Sequence, residues 1–194
     1  MFLNGFSLAV LLLAPLGALV PTHHHVTRLE KMTDQAAVAQ FADAVNQYMN
    51  LRWTVEEPRE PNDLCSDPAE RGAERLARAI RGARATARAG DIFSPTVVPL
   101  FRQRITAARY GLRAEFIPGY LEDQELQHLI EWPRLEVNGS LQWNTGDAVS
   151  PFLLRTLPPV PPELEYRLVG RDLVLVDVDI NLVVDIMENV DGAF

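Results

Sequence analysis

Apolar and polar residues alternate with helical spacing in the first half of the chain. From Thr33 to Trp53, apolar side chains recur three and four residues apart and form one face of a predicted first helix. A second helix is predicted over residues 67–90, because Asp67 and Glu70 can form a capping box around Pro68. Its apolar face is a narrow stripe rich in alanine, and arginines occupy the other side.

Two further helices are predicted before the pattern changes. Ser94 as cap and Pro95 at the first position start the third helix, which continues to Gly111. Pro99 lacks an amide proton, so we expect a local kink or a late start there. A shorter fourth helix is predicted from about residue 121 to residue 131. The predicted helices therefore occupy residues 33–131.

A β-hairpin is predicted around Asn138-Gly139, the strongest short hairpin dipeptide. A three-residue loop would bring four apolar side chains to one face: Leu135, Val137, Leu141 and Trp143. Asn138-Gly139-Ser140 also matches a glycosylation sequon, which we interpret as accidental.

A three-stranded antiparallel meander is predicted at the C-terminus, over residues 164–169, 173–178 and 182–187. The middle strand is apolar on both faces, so it should be central and covered on both sides, with the helices as the available cover. The proline-rich run at 157–162 predicts a stiff, extended approach to the first strand. The hairpin and the sheet thus fall within residues 134–188.

These elements predict one α+β domain over residues 33–194, with three or four helices packed on a small C-terminal antiparallel sheet. The chain without its first 22 residues has about 170, enough for one hydrophobic core that needs no disulfides. Cys65 is the single cysteine, so no internal disulfide can form, and we expect a buried or inert thiol.

An apolar segment without charged side chains precedes the domain. Residues 1–22 have the pattern of a signal peptide, whose apolar run from Phe6 to Val20 is too short for a typical membrane span. We therefore expect a periplasmic or secreted protein that contacts a membrane only through this segment. An uncleaved N-terminal anchor and a buried N-terminal helix stay open, because no basic residue precedes the apolar run and no clear cleavage site follows it.

Charge is distributed unevenly along the chain. Residues 67–113 carry ten arginines against four acids, whereas residues 114–194 carry fifteen acids against four arginines. A basic block could bind nucleic acid or anionic lipid, but an acidic block in the same chain favours pairing within the molecule. We therefore predict that the arginines of the second helix contact the protein's own acids, and we expect no nucleic-acid partner.

Sequence motifs of known catalytic sites are missing. The chain has no P-loop, no nucleophile elbow and no zinc-protease helix, and Lys31 is the single lysine. An enzyme would have to use carboxylates, with Asp177 and Asp185 as candidates. Acids on a terminal sheet are usually solvated turn or edge residues, so we expect no enzyme and assign no catalytic residue.

Two groups of residues could bind a divalent metal ion, although we expect no cofactor. The ligand positions of a calcium loop are matched by Asp177, Asp179, Asn181, Asp185 and Glu188. Leu182 replaces the glycine of that loop and strands flank it, which favours a hairpin turn with an acidic rim. The imidazoles of His23, His24 and His25 suit copper or nickel. The alternative is a polar junction beside the leader.

Two segments resemble a family of exported bacterial proteins that has no assigned function. They are Gly90-Asp91-Ile92-Phe93-Ser94-Pro95 and the stretch 157–185, LPPVPPELEYRLVGRDLVLVDVDINLVVD. The second segment is also similar to the C-terminal part of the RcnB-like periplasmic nickel and cobalt homeostasis family. The resemblance implies export and the C-terminal sheet, and it brings no catalytic motif.

Three functions follow as hypotheses. The first is an exported envelope or secreted protein that acts as a non-enzymatic binding module for an unknown protein or envelope partner. The alternative is a periplasmic metal-binding or metal-homeostasis protein. The third is a carboxylate-based hydrolase.

Overall fold

The computed structural model describes residues 23–56, 68–115, 132–142, 144–149 and 151–190. The helices are α1 (His23–Val55), α2 (Pro68–Ala83), α3 (Val98–Glu115) and the short α4 (Pro151–Leu154). The strands are β1 (Asp147–Ala148), β2 (Leu164–Val169), β3 (Asp172–Asp177) and β4 (Leu182–Met187). The predicted α+β class is confirmed. No described helix has both the length and the apolar character needed to cross a bilayer.

The sheet is antiparallel with the strand order β1-β2-β3-β4. Its three long strands are the predicted meander, and β1 adds two residues at the free edge of β2. Gly170 makes the turn between β2 and β3 with a positive φ of 61°. A side chain at this position would also meet Trp132, because a Cβ would lie 2.8 Å from its ring. Both facts require glycine there.

The helices cover one face of the sheet, and an aromatic group lies between them. The ring centroid of Phe41 in α1 lies 5.0 Å from that of Phe101 in α3 and 5.9 Å from that of Phe93, in the loop before α3. The Tyr166 ring of β2 packs beside Phe41, and the Tyr166 hydroxyl donates a hydrogen bond to the Pro158 carbonyl at 2.8 Å. The proline run therefore leads into β2 as predicted, anchored by a strand side chain.

The apolar face of α1 is largely as predicted, with one exception. Phe41, Val45, Tyr48 and Met49 are buried. Trp53 was predicted on the same face but is 57% exposed. Its neighbour Arg52 faces the sheet instead, because a buried carboxylate of β3 lies at that level and binds it.

The other face of the sheet is covered by residues 132–142 rather than by the expected helices. A second apolar cluster joins Val174, Val176, Val183 and Ile186 to Leu141, with Trp132, Leu135 and Val137 packed against it. Among these residues the predicted hairpin is wrong. Gly139 N–H donates to the Glu136 carbonyl at 2.9 Å and forms a turn, but Asn138 and Gly139 bind Val183 of β4, and Leu141 N–H donates to the Asn181 carbonyl. The unpaired edge of β4 offers both main-chain groups and an apolar surface.

The helix boundaries differ from prediction at the start of α1 and at the end of α2. Helix α1 begins at His23, ten residues before the predicted start. Helix α2 ends at Ala83, and turns lead from there to Gly90, which has a φ of 93°. Helix α3 starts late, as Pro99 predicted, and the Ser94 carbonyl accepts the Val97 and Val98 amides at 2.8 and 3.0 Å.

Several predicted features lie outside the described residues. They are the leader at 1–22, Cys65, Trp143 and the helix at 121–131.

Candidate functional site

Two carboxylates of the calcium-loop pattern, which were expected to be solvated turn or edge residues, are fully buried. Asp177 at the end of β3 and Asp185 in β4 are both 0% exposed. A buried ionised carboxylate requires partners, since its desolvation is unfavourable. The two side chains are satisfied by different parts of the fold, so each forms its own cluster.

Asp177 binds side chains of α1. Its Oδ2 accepts the Tyr48 hydroxyl at 2.7 Å and the Arg52 Nε at 2.9 Å. Arg52 also donates through Nη2 to Asp179 at 2.6 Å and through Nη1 to Glu56 at 3.2 Å. Asp177 Oδ1 is buried without a hydrogen-bond partner among the described residues. One guanidinium group therefore holds three carboxylates and ties α1 to the end of β3.

The protonation of this cluster follows from burial and from the paired charges. Burial raises the pKa of the Asp177 carboxyl, and the hydrogen bonds from Tyr48 and Arg52 oppose that shift. Burial and then the neighbouring Asp177 raise the pKa of the Tyr48 hydroxyl well above its usual range. Burial lowers the pKa of Arg52, but the surrounding carboxylates more than compensate. Tyr48 therefore remains a neutral donor and Arg52 remains a cation.

Asp185 binds backbone amides instead of side chains. Its Oδ1 accepts the amides of Gly90 and Ile186, both at 2.8 Å. Its Oδ2 accepts the amides of Ile92 and Phe93 at 2.7 and 2.6 Å. Burial raises the pKa of this carboxyl, and the four amide donors act in the opposite direction. The side chain fixes the 90–93 loop against the sheet.

A β-bulge in β4 turns Asp185 toward this loop. Leu182 and Val184 contact the helix-side core, whereas Val183 contacts the opposite cluster. Strict alternation would place residue 185 on the side of Val183. The register shifts opposite Leu175 and Val176, so Asp185 pairs with Leu175, which belongs to the helix-side core. The inserted residue therefore delivers the carboxylate to the amides of the loop.

Arg81 and Arg84, at the end of α2 and just after it, bind carbonyl and amide oxygens, whereas the prediction was that they would bind acidic side chains. Arg84 donates to the Val184 carbonyl at 2.9 Å and to Asn138 Oδ1 at 3.3 Å, and its guanidinium lies 5.1 Å from the centre of the Tyr48 ring. Arg81 Nε donates to the Asn138 carbonyl at 2.9 Å. Asn138 in turn donates to the Arg84 carbonyl at 2.7 Å. The asparagine of the sequon thus has a structural role, with its side chain occupied.

The other metal candidates are separated from these carboxylates. Asn181 lies in the β3–β4 turn with a φ of 50°, and its carbonyl accepts the Leu141 amide at 2.8 Å. Glu188 follows β4 and is exposed. The first three residues of α1 are His23, His24 and His25. Across the described part of the chain, no three His, Cys, Asp or Glu side chains are grouped to hold a metal ion. Asp177 and Asp179 meet at Arg52, and Asp185 lies with the 90–93 loop.

Sequence reasoning missed Tyr48 as a polar partner and did not consider Arg52. Arg52 is four residues after Tyr48 and seven after Val45, so it lies on the buried stripe of α1. A cation within an apolar stripe requires a buried anion, and that signal was present in the sequence. It did not identify which of the acids supplies the anion.

Trp53 is the exposed counterpart of this buried cluster. It lies three residues before Glu56, which is therefore its neighbour on the surface of α1. Glu56 and Asp179 are 48% and 56% exposed, and both bind Arg52. We call these three exposed residues, at the end of α1 and in the β3–β4 turn, the Trp53 patch: Trp53 and Glu56 are three residues apart, and Glu56 and Asp179 share Arg52.

In comparisons with protein-family models, curated proteins and solved structures, no match to this chain was found.

Proposed function

We propose that this protein is an exported envelope or secreted module that binds a partner without catalysing a reaction. The observation that carries the proposal is the Trp53 patch. More than half of the Trp53 side chain is in water, and tryptophan is enriched among the hot-spot residues of protein interfaces. Export rests on the uncharged apolar leader and on the family resemblance.

The buried carboxylates support a non-enzymatic role. A general acid or nucleophile must come within hydrogen-bond reach of its substrate. Asp177 and Asp185, the candidates for a carboxylate-based hydrolase, are enclosed and bind α1 and the 90–93 loop. Both side chains act within the fold.

The chemistry of the Trp53 patch indicates the type of partner. The indole ring offers an apolar surface, and the patch also contains two half-exposed carboxylates, Glu56 and Asp179. An extended or helical polypeptide with an apolar anchor and a basic residue would complement both features. We therefore propose a polypeptide partner, with salt-sensitive association.

Affinity capture from envelope and culture fractions tests this function, with wild type compared against Trp53→Ala. We expect a saturable polypeptide partner whose affinity falls at least about tenfold in the variant, in the range of a hot-spot residue. Leu154→Ala is the matched control, because Leu154 is the other exposed large apolar residue among those described. Equal binding by wild type and Trp53→Ala would contradict the patch.

Two further measurements decide between this proposal and its alternatives. Mass spectrometry that finds the intact chain in the soluble cytoplasm would contradict export. A stoichiometric divalent ion in the purified protein would favour the metal-homeostasis alternative instead.

A further inference from the structure

The turn at residues 136–139 requires an asparagine followed by a glycine. Asn138 has a φ of 66°, in the left-handed region where asparagine is enriched over most other side chains. A Cβ at Gly139 would lie 2.7 Å from the Glu136 carbonyl oxygen, which is too close for any side chain. The fold therefore fixes this dipeptide, whatever its chemical stability.

An asparagine followed by glycine is chemically labile, because it deamidates readily. Glycine has no Cβ to keep its amide nitrogen away from the preceding carboxamide. In this reaction the Gly139 nitrogen bonds to Asn138 Cγ, the Cγ–Nδ2 bond breaks, and Nδ2 leaves as ammonia with the proton of the Gly139 amide. Water then opens the cyclic imide at either carbonyl, and residue 138 becomes aspartate or isoaspartate.

Both reacting groups already have hydrogen-bond partners in the folded protein. Asn138 Nδ2 donates to the Arg84 carbonyl at 2.7 Å, and its Oδ1 accepts Arg84 Nη1 at 3.3 Å. The Gly139 N–H donates to the Glu136 carbonyl at 2.9 Å. The carboxamide must leave Arg84 to turn toward the Gly139 nitrogen, and the amide must give up its proton. Both steps require these hydrogen bonds to break.

A second asparagine lies in a similar turn without the side-chain contacts. Thr145 N–H donates to the Gln142 carbonyl at 2.9 Å, with the same spacing as Gly139 and Glu136. Asn144, which precedes Thr145, is exposed, and its side chain makes no hydrogen bond within the described part of the chain. The two turns therefore share the main-chain bond and differ in whether the asparagine side chain is held.

We propose that Asn138 is a deamidation site that its contacts with Arg84 protect in the folded protein. This inference is independent of the Trp53 patch. The dipeptide makes residue 138 labile, and the carbonyl and guanidinium of residue 84 hold its carboxamide away from the attacking nitrogen.

Deamidation at this position has a structural consequence. Asn138 N–H donates to the Val183 carbonyl at 2.8 Å, and Val183 N–H donates to the Gly139 carbonyl at 2.9 Å. Isoaspartate adds a methylene group to the main chain between these two groups, so they no longer match Val183 in spacing. Aspartate keeps the spacing but lacks the donor to the Arg84 carbonyl. Either product weakens the attachment of residues 138–141 to β4.

The test measures deamidation by peptide mass spectrometry after incubation of the full chain at mildly alkaline pH. We expect residue 138 to deamidate at least about tenfold more slowly in the folded protein than in urea, because breaking the hydrogen bonds adds to the barrier. Thr145→Gly supplies the matched control, since it places an Asn144-Gly pair in the same molecule. In that folded variant, Asn144 should deamidate at least about tenfold faster than Asn138.

Circular dichroism establishes that each protein is folded before incubation. Equal rates at residue 138 in the folded and urea-unfolded chain would overturn the proposal. Equal rates at residues 138 and 144 in Thr145→Gly would also overturn it, because the turn bond would then protect without Arg84. If Thr145→Gly does not fold, Arg84→Met decides, since it removes the donor to Asn138 Oδ1. We expect faster deamidation there, and the wild-type rate in the folded variant would overturn the proposal.

Discussion

Asp177, the last residue of β3, and Asp185, within the neighbouring strand β4, are equally buried, yet they are held in different ways. Asp177 binds two side chains of α1, Tyr48 and Arg52. Asp185 binds four backbone amides, three of them from the 90–93 loop. The first cluster therefore depends on the identity of particular residues, whereas the second depends on the path of the main chain. A side-chain partner can be exchanged together with its counterpart, but a backbone amide is present for almost every residue type.

The largest expected effect is at the backbone-bound carboxylate. Asp185→Asn leaves one acceptor oxygen for four amides, so two amides lose their acceptor whichever way the carboxamide is oriented. We expect the free energy of unfolding to fall by about 4 to 6 kcal/mol, because each of the two amides left without an acceptor costs about 2 to 3 kcal/mol. Chemical denaturation measures this loss.

Asp172→Asn is the control for that change. Asp172 accepts a single amide, from Asn189 at 2.9 Å, in an exposed position. The loss should stay below about 1 kcal/mol. Equal losses at residues 172 and 185 would show that the four-amide arrangement adds no stability.

The side-chain cluster should behave differently because it can be rescued. Arg52→Met leaves Asp177 buried without its cation, and we expect a loss of about 3 to 5 kcal/mol. Adding Asp177→Asn removes the uncompensated charge and should recover most of that loss, with Tyr48 still able to donate. A double-mutant cycle by denaturation measures the recovery.

Asp179→Asn weakens only the outer part of the same cluster. This carboxylate binds Arg52 but is half-exposed, so the predicted solvated turn acid proves to be an ion-pair partner of modest strength. We expect a loss below about 1 kcal/mol.

If the loss caused by Arg52→Met persists after Asp177→Asn is added, the cluster is held by packing rather than by charge.

Alkaline sensitivity is expected to have no effect at neutral pH and to appear only above about pH 10. Burial raises the pKa of both Tyr48 and Tyr166, so each hydroxyl keeps its proton in the folded state while the unfolded chain ionises near pH 10. Their contribution to stability is complete below that pH and is lost as the pH rises through it, by about 1.4 kcal/mol per pH unit for each tyrosine. Denaturation midpoints above pH 10 measure the slope. Tyr166→Phe should halve it, and an unchanged slope would contradict the assignment.

Local patterns predicted much of this fold. The bounds of the three long strands agree within one residue, because strand alternation and the turn at Gly170 depend on neighbouring residues. The late start of α3 followed from Pro99 in the same way. The hairpin was wrong because Asn138 and Gly139 bind Val183 at the edge of β4 and Leu141 binds Asn181, so the two predicted strands do not pair with each other. The acids of the calcium pattern were identified as a group, but their partners were not.

The sequence by itself determined the α+β class, the meander and the buried stripe of α1, since periodicity and turn chemistry act over a few residues. The tertiary structure alone decided which polar residues meet. Arg52 and Asp177 are 125 residues apart in the chain, and Ile92 and Asp185 are 93 apart. The bulge that turns Asp185 inward, and the Arg84 contact at that bulge, depend on the register between strands and on the packing of α2. Such contacts are selected by the burial of charge and of main-chain groups, which exists only after the chain has folded.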